Sequence, residues 1–287
     1  MRPLTLCILL LLASVMAAPA LASDLLILQS SRSPVYSEAL RGFRAAAKSN
    51  EQPLVLSDYA EVDVQRLVRE ERPRLVVAVG DKALTACRKI REVPVVSMLA
   101  LSLSQKSQLD HVGGVTMIAP PERYLELFGQ LGVKRVGVLY DPKLSGLYLR
   151  RAGADAADYG VSLNMEPVRN SRDLQGKLEK LKGEVDLLWL LPDSTVVTTV
   201  NMEALLLFSM TEGIPAVTFT SQYLKNGAAA SLDIDPHDIG VQAGELTLSL
   251  LRSGVYHKVP VLEPRKVRLQ VNESVLRKLR LKMPEGR

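Results

Sequence analysis

Short apolar runs alternate along this chain with longer stretches whose apolar positions recur at helical spacing. Residues 24–29 (DLLILQ), 53–57, 74–79 (RLVVAV) and 94–99 read as strands buried on both faces, and 111–117 as a short fifth. Between them lie helical patterns at 34–48, opened by Pro34, at 61–71, with Val62, Val64, Leu67 and Val68 as its stripe, and at 81–90. Pro120 and Pro121 punctuate the chain, and the alternation then restarts. Helix 121–131, strand 135–140, a helix reaching 159, strand 162–168, helix 171–181, strand 185–191 and helix 194–212 follow. Strands 215–219 and 228–232, helix 235–253, strand 265–271 and helix 273–281 complete the pattern. Strands alternating with helices predict an α/β fold of two doubly wound parallel-sheet lobes joined by a hinge. The expected division is 23–118 with about 234–256 for the N-terminal lobe, and 119–233 with about 257–287 for the C-terminal lobe.

Open α/β sheets take ligands outside the carboxyl ends of their strands, where the strand order reverses. Candidate chemistry therefore falls on the loops 29–33, 80–81, 99–104, 140–145, 192–195 and 219–223. Their side chains are Gln29, Ser30, Ser31, Gly80, Asp81, Ser102, Tyr140, Asp141, Asp193, Ser194, Thr195, Thr220 and Ser221, with Tyr36 just beyond the first loop. Hydroxyls and carboxylates just before a helix serve as N-caps. The same groups, with free helix-start amides, also hold a carboxylate or phosphate ligand, and Asp81 or Asp193 would take an ammonium group. Tyr36 and Tyr140 suit either stacking on a planar ligand or simple packing. Gly80 suits a close backbone approach or a turn. Asp233 and Asp235 read as hinge and helix cap, and Trp189, the sole tryptophan, as core.

The first residues change the compartment. Arg2, an apolar stretch from Leu4 to Val15 and Ala20-Leu21-Ala22 make a secretory signal cleaved after about Ala22, expected to leave a periplasmic protein. The apolar run is shorter than the roughly 20 residues a bilayer span needs. Removing the leader takes Arg2 and lowers the formal net charge from +5 to +4, no footprint for nucleic acid. One cysteine, Cys87, then remains, so an intramolecular disulfide is excluded and a buried thiol is expected. His111, His237 and His257 are scattered without metal-ligand spacing. Neither a G-x-S-x-G elbow nor a phosphate loop occurs, so no enzyme, metal or cofactor is expected. The basic stretch 265–287 carries Val275, Leu276, Leu279 and Leu281, which predicts an amphipathic helix packed on a lobe.

The stretch 190–254 resembles the substrate-binding proteins of one ABC-transporter family, that of the tryptophan/tyrosine-type binding proteins with the type 1 periplasmic binding fold. The resemblance rests on Asp193-Ser194-Thr195-Val196, Ile214-Pro215-Ala216-Val217, the run Leu224-Lys225-Asn226-Gly227-Ala228-Ala229-Ala230-Ser231, and Asp235 through Gly240. Earlier pieces at 27–30, 75–80, 93–96 and 135–140 are similar too. The chain departs from the family pattern at Gly80-Asp81, where the family has Gly-Thr. It departs again at 97–104 (SMLALSLS), which lacks an Asp-Pro turn, and at Asp141-Pro142-Lys143-Leu144. The resemblance implies a solute-binding component of an ABC importer, and a monomer suits a protein that must shuttle freely. It would close its lobes on a small molecule and deliver it to a membrane permease. The departures break the carry-over of the family's amino-acid ligands, which leaves an amino acid, a related anion or a different small molecule as the ligand. A ligand-sensing input protein for a membrane receptor or sensor kinase is the alternative.

Overall fold

The computed structural model describes residues 24–49, 51–105, 109–254, 257–282 and 284. The expected leader at 1–22 lies outside the described residues. Among them no helix is long and apolar enough to cross a membrane.

The first half builds β1 (Leu25–Gln29), α1 (Pro34–Ala47), β2 (Leu54–Val55), α2 (Val64–Glu71), β3 (Leu75–Val79), α3 (Asp81–Cys87), β4 (Val95–Met98), α4 (Ser102–Gln105) and β5 (Val112–Val115). The second builds α5 (Pro121–Leu131), β6 (Arg135–Tyr140), α6 (Gly146–Asp155), β7 (Ser162–Pro167), α7 (Leu174–Leu181), β8 (Leu187–Trp189), α8 (Thr199–Glu212), β9 (Ala216–Thr218) and β10 (Ala230–Ile234). The chain ends through α9 (Pro236–Ser253), β11 (Val261–Leu262), β12 (Val267–Val271) and α10 (Glu273–Lys278).

Two six-stranded sheets result, ordered β11-β5-β4-β3-β1-β2 and β12-β10-β9-β8-β6-β7. Every neighbouring pair is parallel except β10 with β12. Both faces of each sheet are covered, which is why β3 (LVVAV) is apolar and buried at all five positions. Phe43 of α1 and Ile239 of α9 share a core with Val77 on one face of the first sheet, while Val68 of α2 and Leu84 of α3 pack with Val76 on the other. In the second lobe, Trp189 of β8 packs with Phe128 of α5 and Leu149 of α6, opposite a core that joins Leu178 of α7 to Leu205 of α8. Trp189 meets Tyr124, Phe128 and Tyr148 at ring-centroid distances of 5.0, 5.3 and 5.9 Å. Cys87 is buried, and desolvation pushes its thiol up to about 12.

Helices α1 and α9 approach almost backbone to backbone. A methyl group at Gly42 would stand 2.0 Å from the His237 carbonyl oxygen, and one at Gly240 1.8 Å from that of Ala39. No larger residue fits without separating the pair.

Three differences from the sequence pattern have local causes. Helix α8 starts at Thr199 rather than 194, because Asp193 folds 193–196 into a turn and Thr198 supplies the cap, accepting from the Asn201 amide at 3.1 Å. Helix α2 starts late for the same reason, with Asp63 accepting from the Arg66 amide. Residues from about 257 onward do not all join the second lobe. Val261–Leu262 extends the first sheet beside Gly114–Val115 before β12 enters the second. The chain therefore crosses between lobes three times, after β5, after β10 and after β11.

Candidate functional site

In the first sheet the strand order reverses between β1 and β3, and in the second between β6 and β8. The carboxyl ends at these two switch points carry Gln29–Ser31 with Gly80–Asp81, and Tyr140–Asp141 with Asp193–Thr195. Helix α4 leaves the carboxyl end of β4 and α6 that of β6, and the two helices stand against each other. The strand tips of the two lobes thus face one another.

In the first lobe, the Ser30 hydroxyl donates to the Val79 carbonyl at 3.0 Å and accepts from the Ala83 amide at 3.0 Å, tying β1, β3 and α3 together. Buried Gln29 donates to the Ser31 carbonyl at 2.6 Å. Gly80 has φ +86°, and a methyl group there would lie 2.4 Å from the Tyr36 hydroxyl and 2.7 Å from Ser30 Oγ. The missing side chain is what lets Tyr36 lie across the end of β3. Burial, then the negative charge of Asp81, raise the Tyr36 phenol above its ordinary value against an opposing hydrogen bond with Ser30. Tyr36 therefore offers a protonated hydroxyl at neutral pH. The Asp81 carboxylate accepts from the amides of Ser102 at 2.8 Å and Leu101 at 3.1 Å, so it caps α4. Ser102 is buried, its Oγ has no partner among the described residues, and its carbonyl accepts from Arg88.

The second lobe repeats the device. Asp193 is 1% exposed, and its carboxylate accepts from Ser145 Oγ at 2.7 Å, the Asp141 amide at 2.8 Å, and the amides of Thr195 and Val196 at 3.0 and 3.3 Å. It is spent on holding the start of α6 and its own turn. Asp141 accepts from Thr195 Oγ1 at 2.8 Å and from the Lys143 amide at 2.8 Å. Ser194 is exposed, and Thr195 and Tyr140 are half-buried. After β9, half-buried Thr220 accepts through its carbonyl from Thr218 Oγ1, and Ser221 donates through amide and hydroxyl to Asp233 Oδ2 at 2.9 and 2.7 Å.

The switch points thus bring together two kinds of residue. Gln29, Ser30, Asp81, Ser102 and Asp193 build the walls. Ser31, Tyr36, Tyr140, Ser194, Thr195, Thr220 and Ser221 keep some exposure at the strand tips. Two groups were absent from the sequence-derived set. Ser145 is buried in a loop that already looked polar, and Asp233 is the penultimate residue of β10 and accepts from Ser221, a contact that its hinge reading did not anticipate. Asp235 does cap α9, accepting from the Asp238 amide at 3.1 Å. Among the described residues no group of three or more His, Cys, Asp or Glu is placed to hold a metal ion.

Residues 55–286 match the family described as ABC transporter substrate binding protein. A tyrosine-binding protein of Clostridioides difficile is 25% identical over 192 residues, covering 65% of this chain and 54% of the relative. The chain thus spans about half the length of that curated relative. Among solved structures, the ligand-free, open form of a substrate binding protein with adhesive properties from Clostridium difficile superposes with a TM-score of 0.68 at 18% identity, covering 92% of this chain and 97% of the other. A conserved domain protein from Vibrio cholerae gives 0.64 at 21% identity, over 92% and 96%. An ABC domain from Streptococcus pneumonia in complex with L-Trp gives 0.63 at 19% identity, again over 92% and 96%. The fold is that of the type 1 periplasmic binding proteins.

Proposed function

This chain belongs to the ABC transporter substrate-binding protein family, and on that premise we propose that it is the exported capture component of an ABC importer. It acts as a monomer in the periplasm once its leader is cleaved after about Ala22. The ligand is an amino acid or a related small anion, gripped between the lobes by hinge closure and released to a membrane permease. The lobes comprise 23–118 with α9 and β11, and 119–234 with β12 and α10.

One observation supports the reading: the helices that leave the strand tips of the two sheets, α4 and α6, meet across the lobe boundary, as they would on either side of a cleft between the lobes. An amino acid is favoured by the names of two similar proteins, one called tyrosine-binding and one solved with L-Trp. The chemistry left exposed suits such a ligand. Tyr36 and Ser194 offer hydroxyl donors, Thr195 and Ser221 keep hydroxyl oxygens that can accept while donating to Asp141 and Asp233, and the amide of exposed Ser194 suits a carboxylate.

Thermal unfolding of the mature protein against a panel of L-amino acids and small carboxylates tests the proposal. A ligand at 100 times its Kd stabilises the folded state by about 2.7 kcal/mol, a shift of several degrees for a chain of this size. The variants Tyr36→Phe and Ser194→Ala should keep the unliganded melting temperature and reduce the shift. A panel that moves nothing, or variants that bind as wild type, would remove this site.

A further inference from the structure

Helix α6 reaches both the ligand loops and the hinge. At its start, Asp193 holds Ser145 Oγ and the Asp141 amide. One turn on, the Tyr148 hydroxyl donates to the Ala119 carbonyl at 2.8 Å, on the first crossing between lobes. At the next position on that face, i+3, Arg151 pairs with two carboxylates. One is Glu122, directly after the first crossing, and the other is Glu263, on the third crossing between β11 and β12. The opposite lobe meets the same helix through α4, whose start Asp81 caps.

A rigid helix with these attachments cannot shift at the loop end without pulling on two of the three crossings. We propose that α6 is the lever that couples ligand seating at the Asp193 loop to hinge closure, with Arg151 as the positioning residue that sets the balance between open and closed forms. The proposal rests on capture between the lobes and adds the element that transmits it. Arg151 suits the task because its guanidinium is a planar fork able to serve two carboxylates at once, which a lysine ammonium matches poorly. Without it, Glu122 and Glu263 face the same space as unpaired like charges. The other hinge pairs among the described residues, Arg265 with Asp238 and Glu245, Lys266 with Asp238, and Arg268 with Asp235, join other elements and leave α6 ungripped.

Spin labels at Arg69→Cys in the first lobe and Lys180→Cys in the second, both exposed, report the interlobe distance by pulsed electron paramagnetic resonance. Buried Cys87 stays unlabelled. Arg151→Met should change the ratio of open to closed molecules about five-fold, equivalent to about 1 kcal/mol, and so broaden or displace the distance distribution of the ligand-free protein. Arg151→Lys should restore only part of the wild-type distribution. The unfolding midpoint should stay near wild type, because Arg151 is 48% exposed and its pairs are solvated. Overlapping ligand-free distributions for wild type and Arg151→Met would overturn the lever. The measurement needs no ligand, so a failure of L-tyrosine, added in a second arm, to move the wild-type distribution counts against amino-acid capture alone.

Discussion

Replacing Asp193 by alanine separates a wall residue from a ligand contact. In the folded protein this carboxylate accepts four hydrogen bonds, the two shortest at 2.7 and 2.8 Å from Ser145 and the Asp141 amide. A hydrogen bond to a charged group contributes about 1.5–3 kcal/mol, and a donor left buried without a partner is penalised besides. Two such bonds, partly offset by relaxation of the loop, put the loss at about 3–5 kcal/mol, in the range reserved for a broken buried network. At 2–4 °C per kcal/mol for a chain of this size, the melting temperature falls by about 10 °C. Trp189, buried in the same lobe, reports that lobe's unfolding through its fluorescence during urea titration. The neighbouring variant Ser194→Ala, at an exposed position, is the control and should unfold within about 0.5 kcal/mol of wild type. If Asp193→Ala unfolds within 1 kcal/mol of wild type, the hydrogen bonds drawn to Asp193 do not hold α6, and the carboxylate returns to the ligand.

Other perturbations probe separate parts of the structure. Gly80→Ala forces a side chain into a φ of +86° and against Tyr36, and should cost about 1–3 kcal/mol in urea unfolding; wild-type stability would contradict the close approach. The Asp186 carboxyl is held below the usual range, chiefly by its hydrogen bond from Arg135, with burial opposing. Its contribution is present above the unfolded-state value and disappears as pH falls through the lower folded-state value. Asp186→Asn should therefore be less stable than wild type at neutral pH, by under about 1 kcal/mol for so exposed a pair, with the gap closing as pH falls through the lowered folded-state value. A gap that persists in acid would assign the effect to packing. Cys87 should resist alkylation at pH 8 in the native protein and react fully in urea, read by intact mass; native labelling would refute its burial.

How far the residues disclose this molecule depends on the kind of signal. Runs such as 75–79 and 136–139 declare parallel strands because burial on both faces leaves no polar side chain in them. The restart after Pro121 declares the second lobe. Val261–Leu262 stays hidden because two half-buried residues carry no period. The four-residue α4 is hidden likewise, since it exists through the Asp81 cap. At the site, position in the sheet was legible and role was not. Asp81 and Asp193 stand at strand ends as ligand groups would. Only the hydrogen-bond partners, 20 to 52 residues away in the chain, show them holding α4 and α6 instead.

Hydrogen exchange read by mass spectrometry, with and without a ligand identified by thermal shift, addresses capture between the lobes most directly. Bound ligand should slow exchange together in loops 29–36, 80–82 and 99–104 of the first lobe and 140–145, 193–195 and 219–223 of the second. Protection confined to one lobe, or located away from the strand tips, would contradict it.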